Sequence, residues 1–212
     1  EYSLLDGAVQ ASELADLLVE TGMRGCAVTD HGSLFGAIEF HDELVKRDLR
    51  PIIGMEAYIS PTPISERDAG GRGSRYNHLT LLAMDEEGYR NLCRLSSIGY
   101  LEGFYFKPRI DREVLSRHCG GLAIGSACLR GEIAERVLAG DESGAREAVG
   151  FYHDLVGRDR FFIELMDHGL ADEKAVLPGL AKLAAETGAL PVATNDAHYL
   201  RREHAYAHEV LL

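Results

Sequence analysis

Short apolar runs alternate along the chain with longer segments whose apolar residues recur every three or four positions. The short runs predict six strands, at residues 25 to 29, 51 to 59, 79 to 84, 121 to 126, 161 to 165 and 192 to 194. The longer segments predict helices between them, several of which follow a potential capping residue, namely Ser12, Ser33, Asp85 and Asp111. This alternation predicts an α/β fold with parallel strands joined by right-handed crossovers.

The beginning of the chain departs from this alternation. A β/α chain is expected to open with a strand, whereas this one opens with a turn and a helix, so we expect a first strand just before Glu1. The absence of a starting methionine and the apolar ending at Leu211 and Leu212 predict a piece of a longer polypeptide. Residues 1–212 are expected to form one domain, because this length suits a single β/α barrel.

Residues 60–77 interrupt the alternation of helices and strands. The segment contains two prolines, three glycines and three arginines, and it predicts a long mobile loop. Loops of this length inside compact domains are often functional lids, and a mobile insertion without a function is an equal alternative.

Composition and charge narrow the classes of function. No apolar run approaches the roughly 20 residues of a membrane span, so we expect a cytoplasmic protein without membrane contact. The net charge of −12 argues against a protein that grips nucleic acid over its whole surface, although it allows local contact. The four cysteines are far apart and form no C-x-x-C pair, so they are expected to be reduced thiols.

Acid, histidine and cysteine residues recur in or just beyond the predicted strands. Residues 29–32 and 195–198 each place an acid and a histidine directly after a strand. Potential ligands at many strand ends favour a barrel with a metal site at one rim over an open sheet, which gathers its site at one switch point. The candidate ligands are Asp6, His31, Glu56, His78, Cys128, Asp196 and His198.

The chemical types of these candidate ligands indicate which metal the site binds, and their number indicates how many ions it holds. Imidazole, thiolate and carboxylate together suit zinc and related divalent ions, and seven ligands exceed the needs of one tetrahedral ion. We therefore expect more than one metal ion. Each residue alone has a structural alternative: a histidine hydrogen-bonded within the fold, Cys128 as a small buried side chain, and Asp6 or Asp196 as a turn or cap residue.

Three further residues are candidates for supporting roles. Asp30 adjoins His31 and is expected to orient it as a hydrogen-bond partner. His168 follows Asp167 after the fifth predicted strand, and it is expected either to contact substrate or to cap the next helix. Arg130 is expected to meet a phosphate near the rim, with a solvated surface charge as the alternative.

Several motifs, in order along the chain, closely resemble the PHP (polymerase and histidinol phosphatase) domain of bacterial replicative DNA polymerase III alpha subunits. They lie at residues 1–8, 29–32, 54–58, 77–79, 126–132 and 193–199. The resemblance implies a distorted seven-stranded β/α (TIM-like) barrel and up to three divalent metal ions, zinc, manganese or magnesium, held by nine ligands. Seven of those positions match the candidate ligands above. The other two form a His-x-His on the first strand, which would precede Glu1.

The same resemblance implies a role in DNA replication, as part of a DNA-directed DNA polymerase subunit. It implies a metal-dependent 3′ to 5′ exonuclease that acts on the 3′ end of the primer strand, with other polymerase domains and replisome subunits as partners. Some members of the family keep the domain as an inactive scaffold, which is the alternative function. A phosphoesterase of the histidinol phosphatase type is a third, less favoured by the polymerase-like motifs at 126–132 and 193–199.

Overall fold

The computed structural model describes residues 2–3, 6–67 and 76–212. Its strands are β1 (Gly25–Val28), β2 (Arg50–Ser60), β3 (Asn77–Ala83), β4 (Phe104–Tyr105), β5 (Lys107–Asp111), β6 (Leu122–Gly125), β7 (Phe161–Leu165) and β8 (Leu190–Ala193). Its helices are α1 (Ala11–Glu20), α2 (Ala37–Val45), α3 (Glu86–Leu101), α4 (Arg112–Arg117), α5 (Glu132–Leu138), α6 (Glu142–Val156), α7 (Ala171–Thr187) and α8 (Ala205–Leu211). These elements confirm the α/β class.

The strands of the described ranges form one curled sheet with the shape of a half-barrel. The order of its strands is β4-β5-β2-β3-β6-β7-β8. β1 and β5 both pair with the same edge of β2, β1 along its first half and β5 near its end. The pairs β1–β2, β2–β5, β6–β7 and β7–β8 are parallel. The predicted barrel-like arrangement is therefore confirmed.

The direction of β3 contradicts the prediction of parallel pairing throughout. β3 runs antiparallel to both β2 and β6, and Tyr58 pairs with His78. Parallel neighbours need a crossover, which is usually a helix. The described part of the β2–β3 connection, residues 61–67 and 76, contains no helix, in keeping with antiparallel pairing. Residues 68–75 of the predicted loop lie outside the described residues.

Strands β4 and β5 form an edge hairpin that the sequence pattern did not predict. Lys107, Pro108 and Arg109 interrupt the apolar alternation at this point. Arg109 is nevertheless only 1% exposed, and its guanidinium donates to the carbonyl oxygens of Gly103 and Ile64, each at 3.1 Å. These bonds satisfy a buried cation and tie β5 to the segment that follows β2.

Two of the four predicted caps are confirmed. Asp85 accepts a hydrogen bond from the Gly88 amide at 2.9 Å, and Asp111 accepts one from the Val114 amide at 2.8 Å. The other two predictions were wrong. Extended backbone ends at Gln10, so α1 begins before Ser12, and α2 begins only after Gly36.

The main core lies between the sheet and the helices that cover it. Met55, Leu81, Ile124 and Phe161 from the strands pack with helix residues that include Leu92, Leu95, Val149 and Leu180. A smaller cluster joins α1 and α2 to β1. No helix in the described ranges has the length and apolar character of a membrane span.

Gly88, in the first turn of α3, lies against the turn that precedes β6. A methyl group there would overlap the carbonyl oxygen of Gly121, whereas a methyl group at Gly150 in α6 would meet nothing within 4 Å. We expect Gly88→Ala to lower the free energy of unfolding by about 2 kcal/mol, because backbone must shift. Gly150→Ala is expected to raise it by about 0.5–1 kcal/mol. Urea denaturation measures both, and effects of the same sign would contradict this account of the packing.

Candidate metal centre

The predicted ligands converge on one rim of the sheet. His31 follows β1 and bridges to Glu56 in β2, whereas Cys128 follows β6, and Asp196 and His198 follow β8. His78 lies near the beginning of β3, not at its end. Because β3 is antiparallel, its beginning reaches the rim that the carboxyl ends of the parallel strands occupy.

Asp6, His31 and His198 form the first group of possible ligands. Nε2 of His31 lies 2.7 Å from Oδ2 of Asp6, and Nε2 of His198 lies 3.4 Å from the same oxygen. His208 of α8 supports this group, because its Nε2 donates to the Asp6 backbone carbonyl at 2.6 Å. Asp6, near the beginning of the chain, is thereby held by the last helix.

His31, Glu56 and His78 form the second group, which shares His31 with the first. Nδ1 of His31 lies 3.4 Å from Oε2 of Glu56, and Nδ1 of His78 contacts Oε1 of the same carboxylate. Sγ of Cys128 lies 3.6 Å from Nδ1 of His78. Asp196 lies beside the first group, with Oδ1 at 3.9 Å from Nδ1 of His198.

The electrostatics of these side chains suit a bound cation. Burial raises the pKa of the Cys128 thiol to about 12, and the negative charge of Glu56 contributes to the same shift. Burial and the Glu56 charge also raise the pKa of Asp196. A divalent cation would offset this repulsion between acidic groups and stabilise the thiolate.

Two buried atoms of the second group lack a satisfactory hydrogen bond. In the described part of the chain, His31 Nδ1 and Glu56 Oε1 lie near other ligand atoms without forming hydrogen bonds of acceptable geometry. A buried polar atom left unpaired costs about 1–3 kcal/mol. A metal ion that accepts electron pairs from both atoms would remove that cost, so the residues present fit a metal.

Glu164 is a supporting residue that the sequence pattern did not reveal, because it lies inside an apolar run that reads only as a strand. It is 7% exposed. Its Oε1 accepts from the Ala127 amide and its Oε2 from the Thr194 hydroxyl, each at 2.9 Å. Ala127 has φ 62° and precedes Cys128, and Asp196 itself has φ 41°. Left-handed backbone is unfavourable at an alanine and more readily tolerated at an aspartate. Through its two hydrogen bonds, Glu164 holds the strained loop of Ala127 and Cys128 and the loop that carries Asp196.

Asp30 acts on His31 through a third residue. Its Oδ1 accepts a hydrogen bond from the Ser3 hydroxyl at 2.8 Å, and the Ser3 oxygen accepts one from the His31 backbone amide at 3.2 Å. These bonds orient the backbone of His31, while its two ring nitrogens face Asp6 and Glu56.

Both ring nitrogens of His168 form hydrogen bonds with other residues of the chain. Its Nδ1 donates to the Glu173 carboxylate at 2.6 Å and its Nε2 to the Asn195 carbonyl at 2.5 Å, next to Asp196. A contact between His168 and substrate stays a prediction, and it requires one of these bonds to open. Arg130 has an exposed side chain, and its backbone carbonyl accepts from the His78 amide at 3.0 Å.

The anchoring role of Glu164 can be tested with two substitutions. Glu164→Leu leaves the Ala127 amide and the Thr194 hydroxyl unpaired, so we expect it to lower the free energy of unfolding by about 2 kcal/mol. Glu164→Gln keeps an acceptor for the amide and a partner for the hydroxyl, and we expect a smaller loss. Denaturation followed by circular dichroism compares the two, and an equal loss in both variants would argue against the hydrogen bonds.

The internal bonds of His168 predict a pH dependence of stability. Hydrogen bonds to Glu173 and to the Asn195 carbonyl raise the pKa of His168 above its ordinary value of 6.5. Their stabilisation is complete below that value and is lost as the pH rises through the folded-state pKa. As the pH rises from 6.5 through the folded-state pKa, the free energy of unfolding in EDTA is expected to fall more steeply for the unmodified chain than for His168→Gln. Equal slopes in the two proteins would contradict a stabilising role for these hydrogen bonds.

The chain is similar to curated proteins over its whole length. It is 45% identical to DNA polymerase III subunit alpha of Deinococcus radiodurans, 46% identical to that of Thermus aquaticus and 43% identical to that of Treponema pallidum. Each alignment covers 100% of this chain. The chain spans only 16% to 18% of the length of these relatives.

Two solved structures share the fold at low sequence identity. An amidohydrolase from Chromobacterium violaceum, solved with bound sulfate and no metal, is 13% identical, with a TM-score of 0.57 over 97% of this chain and 93% of that one. A proposed metal-dependent phosphoesterase from Bifidobacterium adolescentis is 12% identical, with a TM-score of 0.57 over 92% of this chain and 84% of that one.

The family comparison covers most of the chain. The sequence model of the PHP domain family matches residues 1–168, which include five of the seven predicted ligands. Asp196 and His198 lie beyond that match and within the alignments to the polymerase subunits. The chain therefore belongs to the PHP domain family.

Proposed function

We propose that this PHP domain hydrolyses phosphodiester bonds at the 3′ end of a DNA strand, with divalent metal ions, as part of a cytoplasmic DNA polymerase III alpha subunit. The observation that carries the proposal is the pair of ligand groups that share His31. Zinc, manganese and magnesium, in up to three positions, are the proposed ions. The similarity to polymerase subunits supports DNA as the substrate, and other polymerase domains and replisome subunits as partners.

The side chains have separate tasks in this proposal. Asp6 and His198 would hold one ion, and Glu56, His78 and Cys128 would hold another. His31 would join one of these two groups, because a neutral imidazole offers a single electron pair, and Asp196 completes the set. When bound, divalent ions lower the pKa of water and offset the charge that develops on a phosphoryl group. Asp30 and Glu164 keep the ligand-bearing backbone in place, the first through Ser3 and the second through Ala127 and Thr194.

Removal of two ligands tests the proposal. We expect Asp196→Asn with His198→Ala to lower the metal content and to slow 3′ to 5′ hydrolysis of an oligonucleotide at least about 100-fold. Both measurements use this chain extended at its beginning by the upstream residues that are predicted to contain the His-x-His. Metal is measured by mass spectrometry, and hydrolysis by gel electrophoresis of a 5′-labelled strand.

A matched control removes another acid and histidine. His41 and Asp42 lie 3.1 Å apart on the exposed surface of α2, so Asp42→Asn with His41→Ala should leave both measurements unchanged. Hydrolysis that persists in the Asp196 and His198 variant would refute the ligand assignment. A folded, unmodified protein without bound metal would instead favour the alternative of an inactive scaffold.

A further inference from the structure

Two cations near the ligand groups rest on tyrosine rings. Nζ of Lys107 lies 5.4 Å from the centre of the Tyr58 ring, and Cζ of Arg130 lies 5.5 Å from the centre of the Tyr76 ring. The two rings meet edge to face, with centroids 4.9 Å apart. The resulting series of contacts, Lys107-Tyr58-Tyr76-Arg130, is called the tyrosine wall below.

The tyrosine wall adjoins the predicted ligands directly. The Tyr58 ring stacks on His31 with centroids 5.5 Å apart and an interplanar angle of 17°. The Tyr76 ring is parallel to that of His78, with centroids 6.2 Å apart and an angle of 2°. Both cations are therefore connected to the second ligand group through one aromatic contact each.

The charges of Lys107 and Arg130 are available to a ligand. Both residues are exposed, and neither forms an ion pair within residues 2–3, 6–67 and 76–212. By contrast, Arg112 and Arg136 are both paired with Glu132. An aromatic ring attracts a cation through its quadrupole without neutralising it, so the N–H donors stay free. The wall thus holds two positive charges in place beside a group rich in acids.

We propose that Lys107 and Arg130 bind backbone phosphates that flank the scissile bond of a single-stranded polynucleotide, and that Tyr58 and Tyr76 position these two cations. The inference rests on the proposed phosphodiester hydrolysis. A small phosphomonoester offers one phosphate, which the ligand groups would engage, whereas two additional cations suit a substrate with several phosphates. Contacts of Lys and Arg with phosphates carry no sequence information, as an enzyme that accepts any strand end requires.

Binding in the absence of metal tests the two cations. The probe is a fluorescein-labelled single-stranded oligonucleotide, and its anisotropy is followed in EDTA from about 50 to about 200 mM salt. Each phosphate contact contributes about −0.7 to the slope of log affinity against log salt for a single strand. We expect Lys107→Gln and Arg130→Gln each to weaken binding and to reduce the slope by about that amount.

Arg24→Gln is the matched control. Arg24 is exposed, forms no ion pair in the described ranges, and directly precedes β1, at the opposite end of that strand from His31. Its variant should bind as the unmodified chain does. Unchanged affinity and slope in both the Lys107 and the Arg130 variants would overturn the proposal.

The positioning role of Tyr76 needs a separate measurement. Tyr76→Phe keeps the ring on which Arg130 rests, so it should preserve binding, whereas Tyr76→Leu should weaken it. If Tyr76 acts through Arg130, Tyr76→Leu combined with Arg130→Gln should bind no more weakly than Arg130→Gln alone. Additive losses would overturn the positioning role.

Failure of this inference can be distinguished from failure of the proposed function. Binding is measured without metal, and hydrolysis of the same oligonucleotide is measured separately with metal. An unmodified protein that binds with the expected salt dependence and does not hydrolyse would support the phosphate contacts and refute the hydrolytic function. A protein that hydrolyses, with the same KM in the Lys107 and Arg130 variants, would refute the phosphate contacts alone.

Discussion

A single buried carboxylate joins the two loops that bring Cys128 and Asp196 to the rim. Glu164 accepts from the Ala127 amide on one loop and from the Thr194 hydroxyl on the other. Burial raises its pKa, which shows that the ionised form is costly at this position, and the hydrogen bonds act in the opposite direction. The arrangement of the rim thus depends on a side chain that is not itself among the predicted ligands.

The site also depends on the antiparallel direction of β3. If β3 ran parallel to its neighbours, the beginning of the strand, and with it His78, would lie at the opposite rim. Its reversal places His78 next to Glu56 and Cys128, and it places Tyr76 next to Tyr58. One topological feature therefore completes both the second ligand group and the tyrosine wall.

Much of this arrangement could be predicted from the sequence, for identifiable reasons. Apolar periodicity predicted strands near β6, β7 and β8, and residues that follow strands predicted which side chains would meet. Periodicity carries no information about strand direction, so the reversal of β3 was missed. Strand β5 was missed because the charged residues Lys107 and Arg109 interrupt the apolar pattern. Arg109 is buried all the same, because carbonyl oxygens elsewhere in the fold accept hydrogen bonds from its guanidinium.

The hydrogen-bonding roles of His168 and His208 could not be predicted from the sequence either, because they also depend on residues elsewhere in the fold. Besides nearby Glu173, His168 bonds to the carbonyl of Asn195, 27 residues away along the chain, and His208 bonds to the carbonyl of Asp6, 202 residues away. A local pattern identifies the chemical type of a side chain, whereas its partners depend on the packing of distant elements. Glu164 illustrates the same limit, since its partners Ala127 and Thr194 are 37 and 30 residues away.

The strand that carries Glu56 is paired with neighbours on both of its edges. β2 is 11 residues long, and it pairs with β3 on one edge and with β1 and then β5 on the other. A backbone paired on both edges fixes the position of Glu56 more firmly than loops fix Cys128 and Asp196. An ion of a different radius would then be accommodated by movement of the loop residues around a fixed Glu56, because selectivity depends on how far the ligands can adapt to the ion.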